Sequence, residues 1–157
     1  MPKVIVVDGA LACGKSSYIK KLQKDKNFSR YVVVSNDIQG TKAKCLKEFE
    51  KAIKNGHSVI VDNTNPTKEA RDVFIRPDTG KSAAISPGIP TRIIFFDLPK
   101  DVVMHMNEYR SITTDKHVSS IAIHTYYKKL ERPSEKDVTV VNKVEVTDPM
   151  LLMYLPE

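Results

Sequence analysis

The chain has 157 residues and carries 25 lysines and arginines against 19 aspartates and glutamates, which gives a formal net charge of +6. This length fits one domain with a substantial hydrophobic core, and the basic excess suits either a polyanionic partner or a solvated lysine-rich surface. Two cysteines exclude a disulfide framework, and the lack of a signal-peptide pattern or a membrane-length apolar run predicts a soluble intracellular protein without membrane association.

The first predicted element is a β-branched strand that leads into a glycine-containing loop and then a helix. Residues Val4 to Val7 are followed by Gly9 and, at a fixed spacing, by Gly14, Lys15 and Ser16, which satisfies the phosphate-loop pattern G-x-x-x-x-G-K-S/T. Such a loop turns backbone N–H groups toward a phosphate, the lysine reaches the β- and γ-phosphates, and the serine binds Mg²⁺. An ordinary strand–turn–helix explains the glycines but not Lys15 and Ser16. The predicted nucleotide-binding residues are Gly9, Ala10, Leu11, Ala12, Cys13, Gly14, Lys15, Ser16 and Ser17.

Strand and helix patterns alternate along the rest of the chain. Short β-branched runs predict strands, and apolar residues spaced by three and four predict helices. The further predicted strands cover residues 31–35, 58–62, 91–96 and 138–146. The predicted helices cover residues 16–24, 41–55, 67–76, 99–110 and 119–131. Two segments are predicted as connections, namely an exposed loop from Pro77 to Pro90 and a polar stretch from Ser111 to Lys116.

This alternation predicts an α/β three-layer fold. A mostly parallel central sheet of about five strands is expected to carry helices on both faces. We expect one domain over residues 1–147 and an apolar tail, residues 148–157, that packs on it.

Three acidic residues follow predicted strands, where parallel α/β sheets place their ligand chemistry. Asp62 ends an apolar strand as a Walker-B carboxylate does, and it is a candidate Mg²⁺ ligand together with Ser16. Asp37 follows the second strand, where it suits a general base for an attacking hydroxyl, although spacing alone favours a turn or cap equally. Asp97 precedes Leu98-Pro99, and a helix N-cap is its simpler role.

A second specific motif follows the third predicted strand. Asp62-Asn63-Thr64-Asn65-Pro66, with Arg71 five residues on, resembles the D-N-T-N-P…R signature of polynucleotide 5′-hydroxyl kinases, especially the kinase half of the animal polynucleotide kinase–phosphatases. Weaker matches occur in the family's order from Val4 to about Val146. They are Asn36-Asp37-Ile38-Gln39-Gly40, Gly88-Ile89-Pro90, Asn107-Glu108-Tyr109-Arg110 with Thr113 and His117, and Tyr127 to Glu131 with Pro133.

The resemblance implies a P-loop kinase fold with a small lid, the use of ATP and Mg²⁺, and a nucleic-acid 5′-hydroxyl end as acceptor. Asp37 matches the family's general base, and Lys15 and Ser16 match its phosphate-loop lysine and its Mg²⁺-binding hydroxyl. Arg110 matches a lid arginine that clamps the donor phosphates, with an exposed surface arginine as the alternative.

The resemblance also implies roles for the signature residues. Asp62 matches an active-site acid. Arg71 either contacts the substrate or braces the site, and we include it with Asn63 and Asn65 as candidate substrate-binding residues. His117 is expected to order the lid.

Departures from the family's pattern change the expected electrostatics. Glu108 stands where the animal enzymes carry a further basic lid residue, Asn36 replaces an arginine beside the base, and Gly40 lies where phage-type enzymes have an arginine. The phosphatase signature D-x-D-G-T is absent from the sequence, so this chain is not expected to remove 3′-phosphates.

The predicted function is ATP-dependent phosphorylation of the 5′-hydroxyl end of DNA or RNA. Asp37 is the predicted base, and Lys15, Mg²⁺ and Arg110 stabilise the charge on the transferring phosphoryl group. One alternative is a P-loop kinase that acts on a nucleoside or another small molecule. A second is a nucleotide-gated binding module that does not catalyse.

Overall fold

A computed structural model of the chain describes residues 3–10, 14–75, 89–114, 118–133 and 138–141. Its five strands are β1 (Val4–Asp8), β2 (Val32–Val34), β3 (Val59–Asp62), β4 (Thr91–Phe96) and β5 (Val138–Val141). They form one sheet in the order β2-β3-β1-β4-β5, and every neighbouring pair is parallel. The predicted parallel α/β fold is confirmed. Strands β1, β3 and β4 lie at the centre, which explains why their sequences are continuous apolar runs rather than alternating patterns.

Helices cover both faces of this sheet. They are α1 (Lys15–Lys24), α2 (Asn36–Gln39), α3 (Lys42–Lys54), α4 (Lys68–Ile75), α5 (Lys100–Thr114) and α6 (Ser120–Lys129). On one face Phe49 of α3 meets Phe74 of α4 edge to face, with ring centroids 5.1 Å apart, over the valines of the sheet. On the other face Ile19 of α1, Val103 of α5 and Ile123 of α6 form the second core.

Short polar side chains fix where the helices begin. The Thr41 hydroxyl accepts a hydrogen bond from the Lys44 amide at 3.1 Å at the start of α3, and Ser119 does the same for Ile121 at the start of α6. Such caps satisfy amides that have no partner within the helix, and each contributes about 1 kcal/mol. The predicted beginnings of these two helices lie within about two residues of the observed ones.

Three local features differ from the sequence-based predictions. Residues Asn36–Gln39 form the short helix α2 instead of a strand end, because the Ser35 hydroxyl accepts a hydrogen bond from the Ile38 amide at 2.9 Å. Helix α5 continues to Thr114, so the segment predicted as a polar connection is helical over its first four residues. Asp97 pairs with Arg132, with Oδ1 2.6 Å from Nη1, where a helix cap had been predicted.

Some predictions lie outside the described residues. They concern Leu11, Ala12 and Cys13 of the phosphate loop, His117, most of the segment from Pro77 to Pro90, the end of the last predicted strand, and the tail 148–157. Among the helices that the structure describes, none combines the length and hydropathy needed to cross a membrane.

Candidate active site

The phosphate loop connects the carboxyl end of β1 to the start of α1. Gly14 has φ +96°, a left-handed conformation that residues with a Cβ rarely adopt, and Lys15 is the first residue of the helix. A Cβ on Gly14 would lie 3.7 Å from Cε of Met106 in α5, so α5 passes close to the loop. Ser16 and Ser17 are exposed on the first turn of α1. The loop therefore places exposed hydroxyls at a helix N-terminus that favours an anion.

The Lys15 side chain lies back against the loop. Its residue is 8% exposed, and its ammonium donates a hydrogen bond to the carbonyl oxygen of Gly9 at 2.7 Å. Gly9 and Ala10 are buried at the beginning of the same turn. The ammonium is thus held beside the first residue of the phosphate loop, where it can interact with a bound phosphate group.

Two carboxylates and Lys15 lie within electrostatic reach of one another. Asp62 is the half-buried last residue of β3, and Asp37 is exposed in the first turn of α2. Burial raises the pKa of the Asp62 carboxyl above its ordinary value, the Lys15 ammonium lowers it, and the Asp37 carboxylate raises it further. The structure therefore brings together three residues that the sequence placed on three separate segments.

The donor groups at this point fit a magnesium ion. Mg²⁺ is usually held by one or two carboxylates, waters and phosphate oxygens. Asp62 and Asp37 repel each other across the site, and Asp62 is only half-buried. A divalent cation bound at Asp62 would relieve that repulsion.

Asp8, which the sequence analysis did not single out, is the centre of a buried polar cluster. It is 0% exposed at the end of β1, and its Oδ1 accepts hydrogen bonds from the Asn65 amide at 3.0 Å and the Tyr126 hydroxyl at 3.4 Å. Its Oδ2 lies 3.6 Å from Nη1 of Arg71. Burial raises the pKa of the Asp8 carboxyl to about 6, although the Asn65 amide, Lys15, Arg71 and Tyr126 all lower it. One carboxylate therefore ties β1 to the signature loop, α4 and α6.

Arg71 braces this cluster from the inside. It is 1% exposed, and Nη1 also donates a hydrogen bond to the carbonyl oxygen of Asn65 at 3.1 Å. Of the two roles left open for this residue, its burial favours bracing over contact with a substrate. The Asn65 amide and carbonyl are both hydrogen-bonded, to Asp8 and Arg71 respectively. These bonds fix the backbone conformation of the turn after β3.

Asn63 and Asn65 are both buried but use their side chains differently. The Asn63 Oδ1 accepts a hydrogen bond from the Asn36 amide at 2.7 Å, and its Nδ2 faces the Cys45 sulfur at 3.7 Å. Asn63 thereby fixes the start of α2, which carries Asp37. Asn65 is 4% exposed, and its side-chain Nδ2 has no hydrogen-bond partner among the residues that the structure describes. An unpartnered buried donor is costly, and it is a candidate group for a ligand's acceptor atom.

The segment that matches a kinase lid is anchored by Asn107. This residue is 4% exposed, and its side chain donates to the Val118 carbonyl at 2.7 Å and accepts from the Val118 amide at 2.9 Å. These two bonds hold Val118, which precedes α6, against α5. Arg110 lies one turn further along α5 and is half-buried.

A large cavity lies beside the start of α2, where Asn36 belongs to its lining. It has a volume of about 870 Å³ and lies between the signature loop and helices α3, α4 and α6. Its described lining consists of Asn36, Lys42, Ala43, Leu46, Asn63, Thr64, Asn65, Pro66, Ala70, Val73, Phe74, Ala122, Thr125, Tyr126 and Lys129. Ala43 of α3 is exposed and belongs to this lining.

Comparison with curated proteins identifies relatives of this chain. The chain is 31% identical over 144 residues, 90% of its length, to a bifunctional polynucleotide phosphatase/kinase of Schizosaccharomyces pombe. It is 33% identical over 138 residues, 86% of its length, to a putative bifunctional polynucleotide phosphatase/kinase of Acanthamoeba polyphaga mimivirus. The chain spans about a third of each relative, 33% and 31% of their lengths. These relatives confirm the resemblance to polynucleotide kinases that the motifs predicted, whereas no protein-family model matches the chain.

Solved structures agree on the fold. A gluconokinase from Sinorhizobium meliloti superposes with a TM-score of 0.66 at 18% identity, covering 98% of this chain and 90% of that one. A fungal RNA kinase superposes with a TM-score of 0.64 at 16% identity, covering 98% of this chain and 81% of that one. The fold is therefore that of P-loop kinases, and this likeness alone does not separate small-molecule from nucleic-acid acceptors.

Proposed function

We propose that this chain transfers the γ-phosphoryl group of ATP to the 5′-hydroxyl end of DNA or RNA. The observation that carries the proposal is the exposed Asp37 carboxylate beside Asp62 and the phosphate-loop lysine. Sequence identity of 31–33% to two polynucleotide phosphatase/kinases supports a nucleic-acid acceptor.

The donor binds at the phosphate loop. The loop amides and the N-terminus of α1 hold the phosphates of ATP, and the Lys15 ammonium moves from the Gly9 carbonyl to the β- and γ-phosphates. Arg110, half-buried on α5, supplies further positive charge to the transferring phosphoryl group.

The acceptor approaches from the side of α2. Asp37 accepts the proton of the 5′-hydroxyl while the oxygen attacks the γ-phosphorus in line with the leaving ADP oxygen. The hydrogen bond from the Asn36 amide to Asn63 keeps α2, and therefore Asp37, at a fixed distance from β3. This rigidity matters because transfer rates depend steeply on the geometry of the reacting atoms.

Ser16 and Asp62 are the residues that would hold Mg²⁺. When bound, the ion would supply positive charge that stabilises the negative charge on the phosphate oxygens. Asp62 must be ionised for this, and because burial raises its pKa, protons compete with the metal more strongly there than at an ordinary carboxyl.

A direct assay tests the proposal. The protein is incubated with γ-labelled ATP and 5′-hydroxyl DNA, 5′-hydroxyl RNA or a panel of nucleosides and sugar acids. We expect label on an oligonucleotide end, and we expect Lys15→Ala to lower both ATP affinity and rate by more than tenfold. Lys20→Ala, an exposed lysine on the same helix, is the matched control and is expected to behave like the wild type.

The other outcomes of this assay would assign a different function to the chain. Label on a small acceptor alone would replace the proposal with a metabolite kinase. ATP binding without labelling of any acceptor would replace it with a nucleotide-gated binding module. Wild-type kinetics for Lys15→Ala would refute the phosphate-loop assignment itself.

A further inference from the structure

The Lys15 ammonium lies at a different point in the structure from the one that it takes in the proposed reaction. It donates a hydrogen bond to the Gly9 carbonyl oxygen at 2.7 Å, and the residue is buried. A carbonyl dipole alone compensates little of the cost of removing an ammonium from water, so a buried ammonium requires a negative charge nearby. The group that supplies this charge therefore affects how easily Lys15 moves to a phosphate.

Two carboxylates lie within electrostatic reach of the Lys15 ammonium. Asp62 is half-buried, so solvent and ions can reach it. Asp8 is fully buried at the end of β1, directly before Gly9 in the chain, and the Lys15 ammonium lowers the pKa of its carboxyl. Burial keeps mobile ions away from Asp8, so solvent screens this attraction only weakly. Asp8 is therefore the carboxylate whose charge acts on Lys15 throughout the reaction.

The other partners of Asp8 compensate its charge only in part. Its Oδ1 accepts hydrogen bonds from the Asn65 amide and the Tyr126 hydroxyl, whereas its Oδ2 has no hydrogen-bond partner among the residues that the structure describes. Nη1 of Arg71 lies 3.6 Å from Oδ2 and also donates to the Asn65 carbonyl. The two bonds to Oδ1 hold the carboxylate in place, so it cannot follow a moving lysine. An ammonium that moves onto a phosphate must therefore give up part of its attraction to Asp8.

We propose that Asp8 is a positioning residue that holds the Lys15 ammonium on the Gly9 carbonyl in competition with the phosphates of the nucleotide. The inference rests on the donor site of the proposed function, in which Lys15 moves to the β- and γ-phosphates. Asp8 thereby weakens the binding of ATP and ADP alike and draws the lysine back when a nucleotide leaves. The benefit lies in product release, which limits turnover in many enzymes.

The binding of ADP and ATP to Asp8→Asn tests the inference. Asparagine keeps an acceptor for the Asn65 amide and the Tyr126 hydroxyl but carries no charge. In calorimetric titrations without an acceptor, we expect Kd for both nucleotides to fall about five- to tenfold, because a partly screened charge that attracts Lys15 is removed. At saturating ATP, the single-turnover rate of transfer to a 5′-hydroxyl strand should stay within about twofold of the wild type, because Lys15 reaches the same phosphates in both proteins.

Two further variants show whether the effect belongs to Asp8 and whether it acts through Lys15. Asp97→Asn makes the same chemical change directly after β4, the strand that pairs with β1, and its nucleotide affinity should equal that of the wild type. Asp8→Asn in a Lys15→Ala background should change the Kd of ADP by less than about twofold, because the lysine that Asp8 positions is missing. A direct repulsion between Asp8 and the phosphates would persist in that background.

The results separate this inference from the proposed function. Unchanged or weaker ADP binding by Asp8→Asn would overturn the inference and leave Asp8 as a structural residue. An equal gain in affinity in the Lys15→Ala background would also overturn it, because Asp8 would then act on the phosphates directly. If Asp8→Asn binds ADP more tightly but the wild type labels no oligonucleotide, the proposed function is wrong and the positioning role of Asp8 stands. Asp8→Ser also removes the charge and answers the same question if Asp8→Asn does not fold.

Discussion

Two carboxylates near the same edge of the sheet have opposite surroundings. Asp8 ends β1, is fully buried, and is contacted by an amide, a hydroxyl and a guanidinium from three other elements. Asp37 follows β2, is exposed, and interacts electrostatically with the Asp62 carboxylate. The buried carboxylate can hold elements together but cannot meet a substrate. The exposed one is free of that task and available for proton transfer.

The comparison also shows that an acid at a strand end is not by itself a sign of catalysis. Parallel sheets collect strand ends at one edge, so several acids gather there with different roles. Burial and partners decide between these roles. Replacing each carboxylate by the amide of the same shape is therefore expected to give separable results.

The largest expected effect is on catalysis. Asp37→Asn should lower kcat by about 10²–10⁴-fold, the usual contribution of a positioned base, while ATP affinity and the melting temperature change little. Single-turnover transfer to a 5′-hydroxyl single strand, with equilibrium ATP binding measured alongside, provides the test. Unchanged turnover would remove Asp37 from the mechanism and leave it as a surface residue of α2.

A second expected effect concerns stability. Arg71→Met removes the cation that faces Asp8 and should lower the free energy of unfolding by about 3–5 kcal/mol, because a buried carboxylate then lacks its compensating charge. Chemical denaturation of the two proteins at neutral pH measures the difference.

Arg132→Met is the matched control for Arg71→Met. Arg132 makes a shorter ion pair, 2.6 Å to Asp97, but it is 66% exposed. Exposed pairs contribute about 1 kcal/mol or less, so this variant should remain close to the wild type. Equal losses in the two variants would mean that burial does not distinguish the two arginines.

Much of the fold follows from the sequence because its signals are local. The strands around Ile60 and Ile93 are continuous apolar runs, and Gly14 has the left-handed conformation that its place in the motif requires. The short helix α2 could not be predicted, because four residues carry no periodicity and its start depends on the Ser35 side chain and on Asn63 from another strand.

Only part of the candidate site could be predicted from the sequence, because some of its contacts join residues that are far apart in the chain. Lys15, Asp37 and Asp62 stand in recognisable motifs, so their proximity was expected. Asp8 and Tyr126 are 118 residues apart, and nothing in their local sequence indicates that they share a hydrogen bond. The one available signal was that Asp8 is a charged residue at the end of a buried strand. Because Gly9 follows directly, the sequence was interpreted through the phosphate-loop motif instead.

The smallest expected effect, but the most specific, is the pH dependence caused by Asp8. Its pKa of about 6 in the folded protein exceeds the ordinary value of 3.8, so the folded state binds a proton more tightly than the unfolded state between those values. The contribution of Asp8 to stability is therefore most favourable below pH 4 and decreases as the pH rises through 6. The full difference corresponds to about 3 kcal/mol.

Asp8→Asn tests this directly because asparagine keeps an acceptor for the Asn65 amide and the Tyr126 hydroxyl but does not titrate. The free energy of unfolding of the wild type minus that of the variant should fall between pH 4 and 6.5 and stay level above pH 7. Asp62, whose pKa is also raised, is present in both proteins, so its contribution cancels. A difference that rises with pH would mean that the attraction of Arg71 outweighs burial, and Asp8 would then be a stabilising ion-pair partner instead of a costly buried charge.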